Sequence, residues 1–301
     1  MDTMICTLPG GYVDEVGTVH REAELTLLTG REEELLAAAG SRPGASTVTV
    51  LLARRLRRLG SLSPVSEEEV RRLLVGDRQY LLLKLRQATF GDRVEATLPC
   101  PWAGCGERVD IDFSIGAIPI VESKDKGPTY SLKLSPEATF KGGEGQEERE
   151  VLFRLPNGQD QEIISPLLFD NEARALSLLL ARCVLAIGSV RDPDGEMIAQ
   201  LSPAARLEIE RRMEAVAPQV VLSMDARCLE CGRRFEAPFE LQDFFFGELR
   251  TSRDLLYREV HYLAYHYHWS EGEILSMPRD KRRQYIEVLA DEIEKLNHAI
   301  A

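Results

Sequence analysis

Arg227-Cys228-Leu229-Glu230-Cys231-Gly232-Arg233 puts two thiols on one short turn that runs into a glycine. That is half of a tetrahedral metal site, because two thiolates cannot enclose an ion alone. The matching half is Leu98-Pro99-Cys100-Pro101-Trp102-Ala103-Gly104-Cys105-Gly106, where proline and glycine let the chain tighten until both sulfurs converge. Strand-like runs flank both pairs. Val94 to Leu98 and Val109, Ile111, Phe113 surround the first; Val220 to Met224 and Phe235, Phe239, Leu241 surround the second. Each pair therefore reads as a hairpin with a knuckle at its tip. We expect Cys100, Cys105, Cys228 and Cys231 to hold one structural Zn2+ in a zinc-ribbon-like site. Four thiolates leave no open position for water or substrate, so the expected ion is not catalytic. The alternatives are separate buried thiols or disulfides. Disulfides are the poorer of these, since Met1-Asp2-Thr3 has an acid where a secretion signal carries basic residues. Cys6 and Cys183 stand alone and read as ordinary buried thiols.

Composition bounds the remainder. The chain has 301 residues, 44% hydrophobic and 29% charged, enough to bury a core in one large or two modest domains of a soluble globular protein. Lysine and arginine number 37 against 49 acids, a net charge of −12, which opposes non-specific attraction to phosphate backbones. The longest apolar run, Ala175 to Gly188, is too short for a membrane span and contains Arg182. A cytoplasmic site of synthesis is expected.

Residues 8–28 read as an extended pair interrupted by Pro9-Gly10-Gly11, with an edge open to another chain. Thr29 with Glu32 makes a capping box for a helix over Arg31 to Ala39, ended by Gly40. A Leu/Arg-rich helix is expected over Val48 to Leu59. Its run Arg54-Arg55-Leu56-Arg57-Arg58 is assigned to a solvated face or to pairing with Glu67, Glu68 and Glu69, not to nucleic acid. Ser66 with Glu69 caps another helix, which leads through Gly76 and Asp77 into one from Gln79 to about Ala88. Within 115–165, Asn157-Gly158 between two apolar runs signals a hairpin, and the polar tract Lys141 to Glu148 has too little apolar surface to fold. Asp170 is expected to cap a helix over Asn171 to Ile187, and Ser202-Pro203 opens another to Ala217. The expected class is α+β, mostly helical, with the four-cysteine ribbon-like element and a small β-hairpin insert. The expected parts are residues 1–114 with the first knuckle, the insert at 115–165, and 166–301 with the second knuckle, one zinc site joining both halves.

A helix over Ser252 to His268 carries three of the five histidines. At about 100° per residue His266 lies about 140° from His261, so the three cannot meet on one ion. Tyr257, His261, Tyr265 and His268 form one stripe; Tyr262, His266 and Trp269 form another. Polar-tipped aromatic stripes suit core or interface. Ser270 with Glu273 caps a short helix, and Pro278 starts the last one. Its basic first turn, with Arg279, Arg282 and Arg283, opposes the helix dipole and should meet acids on this chain or another.

The stretch LYREVHYLAYHYHWSEGEILSMPRDKRRQYIEVL (Leu256 to Leu289), with LPGGYVDEVGTVHREAELTLLTGREEELLA (Leu8 to Ala37) and the two cysteine pairs, resembles the baseplate hub assembly chaperone family of T-even-type contractile phage tails, with relatives in phage-like contractile injection systems. The resemblance implies metal-ligand roles for Cys100, Cys105, Cys228 and Cys231 and an interface role for the His/Tyr/Trp segment. The expected function is a non-enzymatic assembly factor or structural component of a baseplate or hub, acting by protein-protein binding to other tail proteins. It is cytoplasmic at assembly, and retention in the virion or injection system is left open. A zinc-ribbon nucleic-acid-binding module is the alternative.

Overall fold

The computed structural model describes residues 3–38, 44–124, 127–141, 147–238, 246–247 and 253–300. About half of the chain is helical and a quarter strand, the strands being spread over small sheets, which is the α+β class. No helix among the described residues is long and apolar enough to cross a membrane.

The N-terminal strands Thr3–Val13 and Val19–Thr26 pair antiparallel, and Leu56–Leu59 lies along the far side of the second. Pro9-Gly10-Gly11 does not break the first strand. The register slips there, between Thr7 and Tyr12, and Gly11 takes φ +89°, a left-handed conformation that glycine tolerates. The Gly10 and Gly11 N–H groups donate to the Asp77 carboxylate at 2.8 and 3.0 Å. Asp77 is fully buried in the helix Val75–Phe90, which runs through Gly76 and Asp77 instead of starting after them. Gly76 is required, since a Cβ there would lie 2.0 Å from the Pro218 carbonyl oxygen.

Burial pushes Asp77 up to about 6 from 3.8, against the pull of its two N–H donors. A carboxyl raised in this way holds its proton more tightly folded than unfolded. Its stabilisation is complete below pH ~4 and is lost as pH rises through ~6. At about 1.4 kcal/mol per pKa unit, the stability of the wild type relative to Asp77→Asn should fall by about 3 kcal/mol between pH 4 and 7. Denaturant unfolding of both proteins across that window checks this; parallel profiles would refute it.

Two helices expected from sequence end early, because their last residues enter sheets. The Leu/Arg-rich helix covers only Ala45–Arg55. Leu56 and Leu59 are buried in the following strand, while Arg57 and Arg58 pair with Glu24 and Glu22 on the neighbouring strand, and Arg55 pairs with Glu32. Three of the four arginines of the run, Arg55, Arg57 and Arg58, are therefore paired within the chain, by acids other than Glu67, Glu68 and Glu69, while Arg54 lies on an exposed face. Glu67 and Glu68 pair with Arg71 and Arg72 on their own helix, and Glu69 completes the Ser66 capping box. Likewise Asn171, not Asp170, caps a helix that ends at Cys183. Val184–Ile187 then becomes an inner strand of the sheet ordered Val190–Arg191, Val184–Ile187, Glu150–Phe153, Tyr130–Lys133.

The expected hairpin at Asn157-Gly158 is absent. Asn157 caps the helix Gly158–Asp170 in a reciprocal box with Asp160. Arg154 and Arg182 grip the same buried Asp160 carboxylate at 2.6 and 2.7 Å. Asparagine is as good a helix cap as a turn former, and the two arginines decide between the roles. Of the strands at 115–165, Tyr130–Lys133 and Glu150–Phe153 share their sheet with residues 184–191 and their core with residues 180–216. Of the Lys141 to Glu148 tract, Phe140–Lys141 pairs with Glu147–Glu148, and residues 142–146 lie outside the described residues, as do Ala39, Gly40, Phe239, Leu241 and Ser252. Cys6 and Cys183 are buried apart from the other thiols, and burial pushes them up to about 11 and about 12.

Candidate functional site

The two cysteine turns are built alike. Arg93–Pro99 pairs with Arg108–Ser114, and Ser223–Arg227 with Arg234–Pro238, each an antiparallel hairpin in continuous register. In the first turn the Cys100 N–H donates to the Glu107 carbonyl at 2.8 Å; in the second the Cys228 N–H donates to the Arg233 carbonyl at 3.0 Å. Gly106 and Gly232, each directly after the second cysteine of its pair, both take φ +70°. The glycine repeated in the sequence thus reflects a shared left-handed turn that a side chain would strain.

The four Sγ atoms lie within 4.8 Å of one another. The cross-hairpin pairs Cys100 with Cys231 and Cys105 with Cys228 stand 3.8 and 3.7 Å apart. A disulfide needs about 2.05 Å, whereas Zn–S bonds of about 2.3 Å give a tetrahedron with edges near ~3.8 Å. The spacing fits an ion at the centre. Cys100 and Cys228 are buried, and Val109, Ile111 and Phe235 pack around the sulfurs. The Arg233 guanidinium covers the Trp102 ring at 5.4 Å, joining the hairpin tips.

The sulfurs differ electrostatically. The backbone N–H of Cys231, helped by that of Glu230 and opposed by burial, brings Cys228 down to about 7. Cys105 receives the Glu107 N–H, yet burial and the neighbouring thiols push it up to about 12. Burial raises Cys100 as well. Four thiolates brought together in this space would repel one another, and a divalent cation would offset that repulsion.

The residues expected to form the C-terminal interface separate into two groups. His261, Tyr265, His266, His268 and Arg283 are exposed and Tyr262 is half-buried, with Tyr262 and Tyr265 edge-on to His266 at 4.9 and 5.0 Å. The others are engaged inside the chain. The Tyr257 hydroxyl donates to Glu34 at 2.6 Å. Trp269 leaves the Tyr262–His266 stripe because the helix Arg253–Tyr267 ends and His268 turns to φ +58°. Trp269 stacks on Tyr267 at 4.6 Å and meets Tyr285 edge-on at 4.9 Å. The basic turn is also mostly internal. Arg282 is fully buried between Glu33 and Glu259, both at 2.8 Å. Arg279 is half-buried over the Phe90 ring at 5.8 Å, and burial lowers its pKa. Spacing could not reveal this, because Glu33 lies 249 positions from Arg282.

Trp269→Ala should therefore cost about 2–4 kcal/mol, somewhat below a fully buried aromatic truncation, through lost contact with Tyr267 and Tyr285. Calorimetry on the variant checks this, and a wild-type melting temperature would return Trp269 to the surface.

Residues 28–246 match a family model described as T4 bacteriophage base plate protein. Residues 249–301 match the model of a second family, described as one of unknown function. No curated protein and no solved structure matches the chain. The Arg282–Glu33 pair, the Tyr257–Glu34 bond and the Gly30 N–H to Met277 carbonyl bond at 3.3 Å all cross from one matched stretch to the other.

Proposed function

The chain belongs to the family of T4 bacteriophage base plate proteins, and from that premise we propose that it is a non-enzymatic assembly factor or structural component of the baseplate or hub of a contractile phage tail or contractile injection system, acting by protein-protein binding. The family match over residues 28–246 carries this reading. The exposed ring cluster of Tyr265, His261 and His266 supports it, since rigid side chains with an apolar body and a polar tip suit contact surfaces.

For the cysteine cluster the proposed ion is Zn2+, held by Cys100, Cys105, Cys228 and Cys231. Its support is the near-tetrahedral sulfur spacing and the all-thiolate donor set, which favours zinc or iron over harder cations. A closed site of this kind joins two hairpins and performs no chemistry.

Expression of a complete tail gene cluster with this chain tagged tests the proposal. Other baseplate proteins should co-purify, and tails made without the chain should lack an assembled hub. Normal tails made in its absence would overturn the assembly role.

A further inference from the structure

A groove of about 1180 Å3 runs between the N-terminal sheet and the C-terminal helices. One wall carries Arg31, Arg54 and Arg57; the other carries Lys281 and Trp269. The walls come from the two separately matched stretches, so the groove exists only where these meet. Its floor is apolar, with Leu27, Leu56, Val65 and Met277.

The charge in this groove opposes that of the molecule. Arg31, Arg54 and Lys281 are exposed and make no ion pair among the described residues. Arg57 reaches Glu24 only at 3.6 Å. The one acid in the lining, Glu273, is committed to the Ser270 N–H and hydroxyl at 2.8 and 2.7 Å. A cluster of cations over an apolar floor, on a chain of net charge −12, is a local reversal of the overall field.

We propose that this groove receives an acidic peptide segment of a partner protein, its carboxylates facing Arg31, Arg54, Arg57 and Lys281 and an apolar side chain seated beside Trp269. The inference rests on the binding role proposed above. The volume exceeds that of most small-molecule pockets, about 300–1,000 Å3, and suits several residues of extended chain. The net charge of −12 on the whole chain opposes a long polyanion, whose affinity comes from many backbone phosphates. A short peptide is held locally, with the apolar floor supplying affinity and the cations selecting its charge.

The test uses the full chain and three fluorescent probes: a ten-residue peptide alternating glutamate and leucine, its lysine counterpart, and a single-stranded oligonucleotide. Anisotropy should show binding of the glutamate peptide, at least tenfold weaker binding of the lysine peptide and of the oligonucleotide, and weakening of the first as salt rises. The R54E/R57E/K281E protein should bind the glutamate peptide at least tenfold more weakly at unchanged zinc content. R54Q/K281Q, which introduces no new charge, should show a smaller loss in the same direction if charge reversal disturbs folding. Equal binding by wild type and R54Q/K281Q, or preference for the oligonucleotide, overturns the groove. Co-purification with tail proteins is read separately, so a failed groove leaves the assembly role standing.

Discussion

Cys228→Ser protein should emerge from purification without zinc and melt of the order of 10 °C below the wild type, which should carry one zinc per chain. Small finger peptides bind structural zinc with an apparent free energy of about 10–16 kcal/mol at neutral pH. Even a third of that, at about 2–4 °C per kcal/mol for a domain of this size, gives such a drop. The sulfur at Cys228 is one edge partner of Cys105 at 3.7 Å, and a serine hydroxyl is a poor replacement for a thiolate on zinc. Chelation of the wild type should reproduce the variant, whereas Cys6→Ser should keep its metal because Cys6 lies in the N-terminal core. Elemental analysis and calorimetry measure both effects. Metal-free wild type, or a variant melting with it, would show that the two hairpins need no ion.

Arg282→Met should cost about 3–5 kcal/mol, the loss seen when one partner of a buried ion pair is removed. Burial opposes the charge on Arg282, but Glu33 and Glu259 more than offset this and raise its pKa. Without the guanidinium, two buried carboxylates face one another. Replacing all three groups, as Arg282→Met with Glu33→Gln and Glu259→Gln, should recover much of the loss, because the penalty comes from buried negative charge that has lost Arg282 and not from missing volume. Hydrogen exchange should place the damage in residues 253–300. A single variant as stable as the wild type would show that the triad does not hold the C-terminal helices in place.

What could be read from the sequence was whatever is settled within a few residues. Ser66 with Glu69, Ser202, and Ser270 with Glu273 cap helices as their spacing implies, and the paired cysteines do converge on one point. The failures share a cause. Leu56–Leu59 and Val184–Ile187 follow helices without a break, and only their strand partners, Val19–Thr26 and Glu150–Phe153, draw them into sheets. Asn157 satisfied a hairpin rule and a capping rule equally well; Arg154 and Arg182, the latter 22 positions from Asp160, settled the choice together. Arg282 was expected to meet acids on this chain or another, but nothing near it in sequence announces that Glu33 is one of them. The groove went unread for the same reason, its two walls being far apart along the chain.

The cysteine clasp also imposes an order in time. Cys100 and Cys231 are 131 positions apart, which at about 5–20 residues per second is about 7–26 s of synthesis. Throughout that interval the first hairpin is outside or leaving the ribosome with two thiols and no counterparts. The enclosed core at 130–216 is made in the meantime. Closure of the four-sulfur cluster is therefore a late event, available only to chains translated past residue 231, so a truncated chain that ends earlier retains a half-site that an intact molecule does not present.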